Sequence, residues 1–290
     1  MSGLDGKRVV ITGAARGIGA RLAERAAEHG ARVGLVGLEP DRLRERAAAL
    51  GDRHVWAECD VTDQASLNAA FESVADRFGG VDVVVANAGI SNHGTVATGP
   101  VDALVRTVEV NLSGVIRTAS AALPHLLASR GYALLISSVS AFAAMPGMAA
   151  YAASKAGVEQ FGNVLRLEVA HRGMAVGTAH PIWTDTDLVG DVGEDLPSFH
   201  RARERLPWPL RRVISVDECV DRLIAGIEQR RRRVYAPRAI VLSHALRTLT
   251  LSRAGERLAR RLSGDGRFVD EFEAEVRALG RPFGRHHAGH

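Results

Sequence analysis

The sequence predicts an α/β fold, a doubly wound parallel sheet of about seven strands with helices on both faces. Short apolar runs rich in β-branched residues recur along the chain, and each is followed by a longer stretch with helical periodicity. The first run ends in a glycine-rich turn that leads into a helix. Because alternating strands and helices build parallel sheets through right-handed crossovers, we expect one sheet with its ligand site at the carboxyl ends of the strands.

Composition and charge narrow the class of protein. The chain has 290 residues, of which 46% are hydrophobic, and its formal net charge is +4. That charge is too small to indicate a nucleic-acid partner. Two cysteines, Cys59 and Cys219, favour neither a disulfide framework nor a metal site. No run of 18 or more apolar residues and no signal peptide are found, so we expect a cytoplasmic protein without a membrane span.

Residues 7–12 predict the first strand, and the turn after it carries glycines at 13, 17 and 19. Such glycines let the backbone approach a pyrophosphate, and the N-terminus of the next helix, over 20–29, offers amide donors. The alternative is a tight strand-to-helix turn without a ligand. Nucleotide binding is the favoured interpretation, and its predicted contacts are Gly13, Ala15, Arg16, Gly17, Ile18 and Gly19.

The second predicted strand ends at Gly37, where a dinucleotide fold usually offers an acid to the adenosine ribose. The nearest acid is Glu39, beside Leu38, and we expect both to contact the cofactor. A missing acid with Arg16 and Arg42 nearby favours a 2′-phosphate, hence NADP(H). Glu39 keeps NAD(H) open, and both arginines can instead be solvated surface charges.

The third predicted strand, over 53–59, is followed by Asp60 and Val61. Asp60 can accept a hydrogen bond from the adenine amino group, with the Val61 amide beside it. Either Thr62 or Asp63 is expected to cap the helix over 64–78.

A fourth buried strand, over 81–86, ends in Asn87-Ala88-Gly89. Small residues at this point let the ribose of a cofactor lie against the strand end. The Asn87 side chain can bond the backbone or the ligand, and we expect some of both.

The long helical region over 101–129 contains one polar residue of interest, Asn111, and one proline, Pro124. Apolar neighbours indicate that Asn111 is buried, where a carboxamide needs hydrogen-bond partners. The proline should kink or restart the helix.

A hydroxyl, a phenol and an ammonium group follow the fifth strand, over 132–138. Ser138 ends this strand, and Tyr151 and Lys155 lie four residues apart on the next helix, over 151–171, where they share one face. A nearby lysine cation favours the phenolate and lowers the pKa of a tyrosine toward neutrality. Lysine is otherwise rare, since Lys7 is the only other one. An exposed pair without function is the alternative.

These residues together resemble the short-chain dehydrogenase/reductase family. The pattern is Thr12-Gly13-x-x-x-Gly17-x-Gly19, Asp60, Asn87-Ala88-Gly89, Asn111, Ser138 and Tyr151-x-x-x-Lys155, within residues 5–238. The resemblance implies a Rossmann-like single domain, nicotinamide chemistry on a small-molecule alcohol or carbonyl compound, and a homodimer or homotetramer.

The resemblance also implies the role of each catalytic residue. Tyr151 is the general acid and base, and Lys155 lowers its pKa and binds the nicotinamide ribose. Ser138 polarises the substrate oxygen, and Asn111 holds a water of the proton relay. After the sixth strand, over 174–180, the family often has Pro-Gly.

This chain has Pro181 followed by Ile182 instead. We expect the Ile182 amide to meet the nicotinamide carboxamide. Pro181, Thr184 and Thr186 are further predicted cofactor contacts.

Residues 187–212 correspond to the family's variable substrate lid, with the aromatic residues Phe199 and Trp208. The expected pocket is mostly apolar, which favours a hydrophobic alcohol or ketone. Ordinary packing is the alternative for its predicted wall residues, which are His93, Phe142, Met145, Met148 and Trp183. For the protein as a whole, the alternative is a sensor or scaffold that binds NAD(P) without turnover.

Residues 1–238 are therefore predicted to form the catalytic domain, closed by a helix over 216–229 and a seventh strand over 234–236. Residues 239–290 are predicted to form a helical extension. It begins with an amphipathic helix over 239–251 and continues with a basic stretch over 253–267. The extension can cover the lid, join a dimer or touch a membrane surface. Its end, with His286, His287 and His290, is expected to be disordered and not to bind a metal.

Overall fold

Within residues 3–250, 252–262 and 266–284, which the computed structural model describes, seven parallel strands form one sheet in the order β3-β2-β1-β4-β5-β6-β7. The strands are β1 (Arg8–Thr12), β2 (Arg32–Gly37), β3 (Val55–Glu58), β4 (Val83–Ala86), β5 (Tyr132–Ile136), β6 (Ala175–Pro181) and β7 (Arg233–Ala236). The strand order reverses between β1 and β4, where doubly wound sheets bind ligands. The predicted fold class is confirmed.

Helices cover both faces of the sheet. The core helices are α1 (Gly17–Glu28), α2 (Pro40–Leu50), α3 (Gln64–Phe78), α4 (Val101–Val108), α5 (Gly114–Ser129), α6 (Ala149–Val169) and α9 (Val216–Glu228). The predicted lid, residues 187–212, contains α7 (Asp187–Asp195) and α8 (Pro197–Glu204). The extension contains α10 (Ile240–Ala245), α11 (Arg247–Thr250), α12 (Arg253–Leu262) and α13 (Arg267–Leu279).

Alternation along the strands divides the core into two layers. In β1, Val9 and Ile11 face the layer that α1 and α9 cover, whereas Val10 faces the layer of α3, α5 and α6. Successive side chains of a strand point to opposite faces, so a strand that is apolar throughout is buried on both. This arrangement brings the strand ends, and the loops after them, to one edge.

The helical region over 101–129 differs from its prediction. A five-residue π-helical turn, Glu109–Ser113, separates α4 from α5 and contains Asn111. By contrast, α5 runs through Pro124 without a restart. A proline removes the hydrogen bond to the carbonyl four residues earlier, here that of Ser120, which lies in an exposed position where water can bond that oxygen.

The extension is helical, in shorter pieces than predicted. The stretch expected to form one helix over 239–251 is divided into α10 and α11 at Leu246, and the basic stretch contains α12. After it, α13 buries Phe268, Phe272 and Val276 against the lid. The histidines at 286, 287 and 290 lie outside the described residues.

Candidate active site

A cleft opens at the carboxyl ends of β1, β4, β5 and β6, and it encloses about 2030 Å³ with its open mouth included. Most predicted site residues line it, namely Gly13, Ala15, Arg16, Gly17, Ile18, Leu38, Glu39, Asp60, Val61, Asn87, Ala88, Gly89, Ser138, Tyr151, Lys155, Pro181, Ile182, Thr184 and Thr186. Two predicted residues, Gly19 and Asn111, do not line it and support residues that do.

Close packing around the glycine turn explains why residue 19 is a glycine and what the Asn87 side chain binds. A Cβ atom at Gly13, whose φ is +66°, would lie 2.8 Å from the Ala88 Cα, and one at Gly19 would collide with the Gly13 carbonyl. The Asn87 amide nitrogen donates to the carbonyls of Thr12 at 3.0 Å and Gly13 at 3.2 Å. Asn87 therefore fastens β4 to the glycine turn, and its amide donors serve the backbone.

Asn111 is fully buried, and its carboxamide is satisfied by a single backbone residue. Its side-chain nitrogen donates to the Ile90 carbonyl at 2.8 Å, and its oxygen accepts from the Ile90 amide at 2.8 Å. The same nitrogen lies 3.3 Å from the Ser154 hydroxyl, which donates to the Tyr151 carbonyl at 2.7 Å. Asn111 thus ties the loop after β4 to the first turn of α6.

The ammonium of Lys155 is held between β5 and α6. It is 4% exposed, and its Nζ donates to the Ile136 carbonyl at 3.0 Å. The Ser137 hydroxyl donates to the Lys155 carbonyl at 2.7 Å, which fixes the strand end against the helix. The Lys155 Nζ lies 5.6 Å from the centroid of the Tyr151 ring. Ser138, Tyr151 and Lys155 therefore share one wall of the cleft.

Burial shifts the pKa values of Tyr151 and Lys155. Desolvation raises the pKa of Tyr151 above its ordinary value, and a hydrogen bond with Ser138 works in the opposite direction. Desolvation lowers the pKa of Lys155 to about 8. Burial and the Ser138 hydrogen bond are the two causes that act on the Tyr151 pKa here, so the lowering of that pKa by Lys155 stays a prediction.

At the adenosine end, Arg16 and Glu39 form an ion pair. The Arg16 Nε donates to Glu39 Oε2 at 3.0 Å, and a second contact joins its terminal nitrogen to Oε1. Arg42 lies 3.9 Å from the same carboxylate. The Arg16 side chain is 19% exposed and the Arg42 side chain is 51% exposed, so only Arg16 departs from the alternative of a solvated surface charge.

Asp60 is ordered by its own loop. Its Oδ1 accepts from the Thr62 amide at 2.8 Å and from the Thr62 hydroxyl at 2.7 Å. Burial alone would raise the pKa of Asp60, but these bonds and the nearby Arg106 keep it below its ordinary value. Asp63, not Thr62, caps α3, since its side chain accepts from the Ala65 amide at 2.9 Å.

The predicted use of the Ile182 amide is wrong in this structure. That amide donates to the Ala236 carbonyl at 2.9 Å, because β6 and β7 continue to pair at this point. The Ile182 side chain is 5% exposed and packs in the core. This residue lines the cleft without a free amide donor.

The substrate side of the cleft differs from its prediction in three residues. His93, Met148, Trp183 and Phe199 line the cleft as expected. Phe142 does not, since its ring packs on the rings of His180 and His244 at centroid distances of 5.6 and 4.8 Å. Met145 packs on the lid cluster, and Trp208 is 64% exposed outside the cleft.

The sequence did not point to several residues that also line the cleft, among them Asn92, Arg106, Leu196 and Phe272. Only Phe272 had a usable signal, because residues 268, 272 and 276 are apolar at a spacing of four. The other three lie in loops or on helix faces without a local pattern.

The residues present fit a nicotinamide dinucleotide. The turn between β1 and α1 presents Gly13 and Gly17 to the cleft without side chains, and the first-turn amides of α1 have no partner within their own helix. The two carboxylates of Asp60 and Glu39 line the same cleft as Tyr151 and Lys155.

Comparison with known proteins agrees with this geometry. The family model described as short chain dehydrogenase matches residues 7–197. The chain belongs to the short-chain dehydrogenase family. It is an NAD(P)-dependent oxidoreductase of that family, and its cofactor is a nicotinamide dinucleotide.

Relatives within the family differ in length and in the activities after which they are named. D-threitol dehydrogenase from Mycolicibacterium smegmatis is 38% identical over 70% of this chain and 80% of its own. Glycine betaine reductase from Emericella nidulans is 37% identical over 64% of this chain, which spans only 15% of that protein. A solved short-chain dehydrogenase/reductase from Mycobacterium marinum superposes with a TM-score of 0.70 at 27% identity, over 78% of this chain and 89% of its own.

The described residues lack two kinds of feature. No helix there is long and apolar enough to cross a bilayer. No group of three metal-ligating side chains occurs within the same residues.

Proposed function

We propose that this short-chain dehydrogenase interconverts an alcohol and a ketone or aldehyde on a hydrophobic small molecule. The observation that carries the proposal is the placement of Ser138, Tyr151 and Lys155 on one wall of the cleft that the glycine turn opens. A hydroxyl, a phenol and an ammonium group in one cleft can bind a carbonyl oxygen and move a proton to it.

In the proposed reaction, the chain binds the substrate oxygen and handles its proton. The Ser138 hydroxyl donates to the substrate oxygen, and the Tyr151 hydroxyl gives a proton to that oxygen or takes one from it. Lys155 is held by the Ile136 carbonyl, and its charge favours the phenolate of Tyr151. The same ammonium group is the proposed partner of the nicotinamide ribose. A bound nicotinamide supplies or accepts the hydride.

Asn111 is proposed to support the proton path. It lies in the π-helical turn Glu109–Ser113, and such turns leave backbone carbonyls without their usual helical partners. A water at this turn would connect Lys155 with solvent. Both polar atoms of the Asn111 carboxamide already bond to the backbone of Ile90. The water would therefore be held by backbone carbonyls of the turn and not by the Asn111 side chain.

For the cofactor, we propose NADP(H) ahead of NAD(H). Arg16, Glu39 and Arg42 carry a net charge of +1 by their formal charges, which favours the additional phosphate of NADP(H). Glu39 opposes this choice, because its carboxylate repels a phosphate and accepts a ribose hydroxyl.

For assembly we propose a homodimer or homotetramer, and for location the cytoplasm. Exposed apolar side chains of α5 and α6, at Ile116, Val164 and Leu167, favour a homodimer or homotetramer. Exposed leucines of α10 and α11 next to the basic helix α12 favour contact with a membrane surface. A cytoplasmic location rests on the sequence.

The proposal is tested by turnover followed at 340 nm, with NADPH or NADH for the ketones and NADP⁺ or NAD⁺ for the alcohols. The panel contains D-threitol, cyclic ketones and long-chain alcohols and ketones. We expect turnover of at least one apolar member. Tight cofactor binding with no absorbance change across the panel would favour the alternative, a sensor or scaffold without turnover.

A further inference from the structure

The last described helix of the chain, α13, lies against the substrate side of the cleft. Three of its apolar residues, Phe268, Phe272 and Val276, are buried in one cluster with Leu196 and Phe199 of the lid. Of the three, only Phe272 lines the cleft. The extension therefore adds a side chain to the pocket, whose other walls come from the strand ends and the lid.

The ring of Phe272 lies directly over a glycine of the loop that joins Ser138 to Tyr151. A Cβ atom at Gly147 would lie 2.7 Å from the Phe272 Cζ. Phe272 is 1% exposed, and its ring centroid lies 6.0 Å from that of Phe199. The ring thus fills the space between the catalytic loop and the lid.

Polar contacts hold α13 in this position from two sides. On the lid side, the Ser198 hydroxyl donates to Glu275 at 2.6 Å. On the opposite side, the Thr95 hydroxyl donates to Glu273 at 2.7 Å. These bonds fix the helix across the cleft, as a rigid wall requires.

The segment after α13 reaches the loop that follows β4. The His93 amide donates to the Pro282 carbonyl at 2.7 Å, and Asn92 forms an antiparallel bridge with Phe283. Asn92 and His93 both line the cleft. One C-terminal segment thus orders two walls of the substrate pocket.

We propose that residues 267–284 form the far wall of the substrate pocket and that Phe272 determines substrate size. This inference rests on the function proposed above and deepens it. The substrate class is a carbonyl or carbinol that carries a compact apolar group, such as a small ring. A long unbranched chain beyond the reacting carbon meets the Phe272 ring.

The test compares Phe272→Ala with Phe268→Ala, which removes the same side chain one turn away in the same cluster but outside the cleft. The probes are 4-methyl-, 4-propyl- and 4-hexylcyclohexanone in the presence of NADPH. Two quantities are measured for each protein, namely kcat/KM from absorbance at 340 nm and Kd from quenching of tryptophan fluorescence, since Trp183 lines the cleft.

For Phe272→Ala, we expect the preference for the hexyl over the methyl ketone to rise about tenfold or more. Each methylene newly buried in the vacated space contributes about fourfold in affinity. For Phe268→Ala, the same ratio should stay within about twofold of the native protein. If both variants change the ratio equally, or if none of the ketones binds to any of the proteins, the proposal is overturned.

The Kd measurement separates this inference from the proposed function. If the ketones bind with the expected ratios but are not reduced, the proposed function is contradicted and the inference about the pocket wall stands. Ketones that are reduced with an unchanged ratio contradict the wall alone. If Phe272→Ala fails to bind NADPH, the test uses Phe272→Leu instead, which keeps an apolar side chain. The preference for the hexyl ketone should then rise by a smaller factor.

Discussion

Glu159 Oε1 lies 2.9 Å from His244 Nε2, and this contact joins the catalytic helix α6 to the extension. Glu159 is one turn beyond Lys155 and is buried, with Arg247 at 3.3 Å and Arg233 at 3.6 Å. Burial alone would raise the pKa of Glu159, but the neighbouring histidines and Arg247 hold it below its ordinary value.

Replacing Glu159 by Gln should therefore destabilise the protein. We expect Glu159→Gln to lower the free energy of unfolding by about 1–3 kcal/mol at pH 7, because buried partners lose a charged acceptor. A depressed carboxyl pKa stabilises the fold above the unfolded-state pKa, so the difference should shrink as the pH falls below about 4.5. Urea unfolding at several pH values measures it.

The control for this prediction is Glu168→Gln, which changes an exposed residue of the same helix. Equal loss of stability in the two variants would show that the contact between α6 and the extension contributes nothing.

Lys155 is expected to reduce stability while it serves the reaction. Its pKa in the fold is about 8, below the ordinary 10.5, so the unfolded state binds the proton more tightly at neutral pH. In Lys155→Met, relief of the buried charge gains about 3 kcal/mol and loss of the bond to Ile136 costs about 1 kcal/mol. We expect the cofactor-free variant to be more stable by about 2 kcal/mol at pH 7.

The pH dependence separates this charge effect from better packing. The gain of Lys155→Met should shrink as the pH rises from 8 to about 10.5, where the buried amine of the native protein is already neutral. Lys7→Met, at the other and exposed lysine, should change stability little at any pH. A gain of equal size at pH 7 and pH 10 would contradict the prediction.

The ion pair of Arg16 and Glu39 should govern the choice of cofactor. In Glu39→Gln, we expect the ratio of NADPH to NADH affinity to rise about tenfold, because a carboxylate that repels phosphate is removed. In Arg16→Gln, the ratio should fall by a similar factor. Fluorescence titration with both cofactors measures it.

Arg44→Gln is the matched control, because Arg44 is an exposed arginine nearby on α2 that pairs with Asp41. A ratio that changes equally in Arg16→Gln and Arg44→Gln would show that general charge, and not a phosphate contact, decides the preference.

Leu167 on α6 should lie in the interface between copies of the chain. It is 79% exposed in the single chain, beside the partly exposed Val164. We expect Leu167→Arg to lower the molar mass found by light scattering, since a charge in an apolar interface is costly. Leu249→Arg tests the exposed face of the extension in the same way. If only Leu249→Arg lowers the molar mass, the interface lies on the extension and not on α6.

The parts of the site that the sequence predicted are those with local patterns. The glycine turn at residues 13–19 and the four-residue spacing of Tyr151 and Lys155 depend on the helix or turn that contains them. Parallel strand order then brings such segments to one edge of the sheet, as the cleft shows.

The parts that the sequence missed depend on contacts between distant segments. Phe142 is predicted to line the pocket, but its ring is buried against the rings of His180 and His244. Phe272 reaches the cleft from a helix more than a hundred residues beyond Tyr151. The resemblance assigns the Ile182 amide to the cofactor, whereas its bond to Ala236 joins distant segments and has no local signal.

The central claim is that Tyr151 moves the proton in a nicotinamide-dependent oxidation or reduction. Its most direct test is Tyr151→Phe, assayed at 340 nm on whichever alcohol or ketone the native protein turns over, with cofactor affinity measured in parallel. We expect kcat to fall by about 10²–10⁴-fold while the Kd for NADPH stays within about threefold, because only the acid and base is lost. Full turnover by Tyr151→Phe would contradict the account.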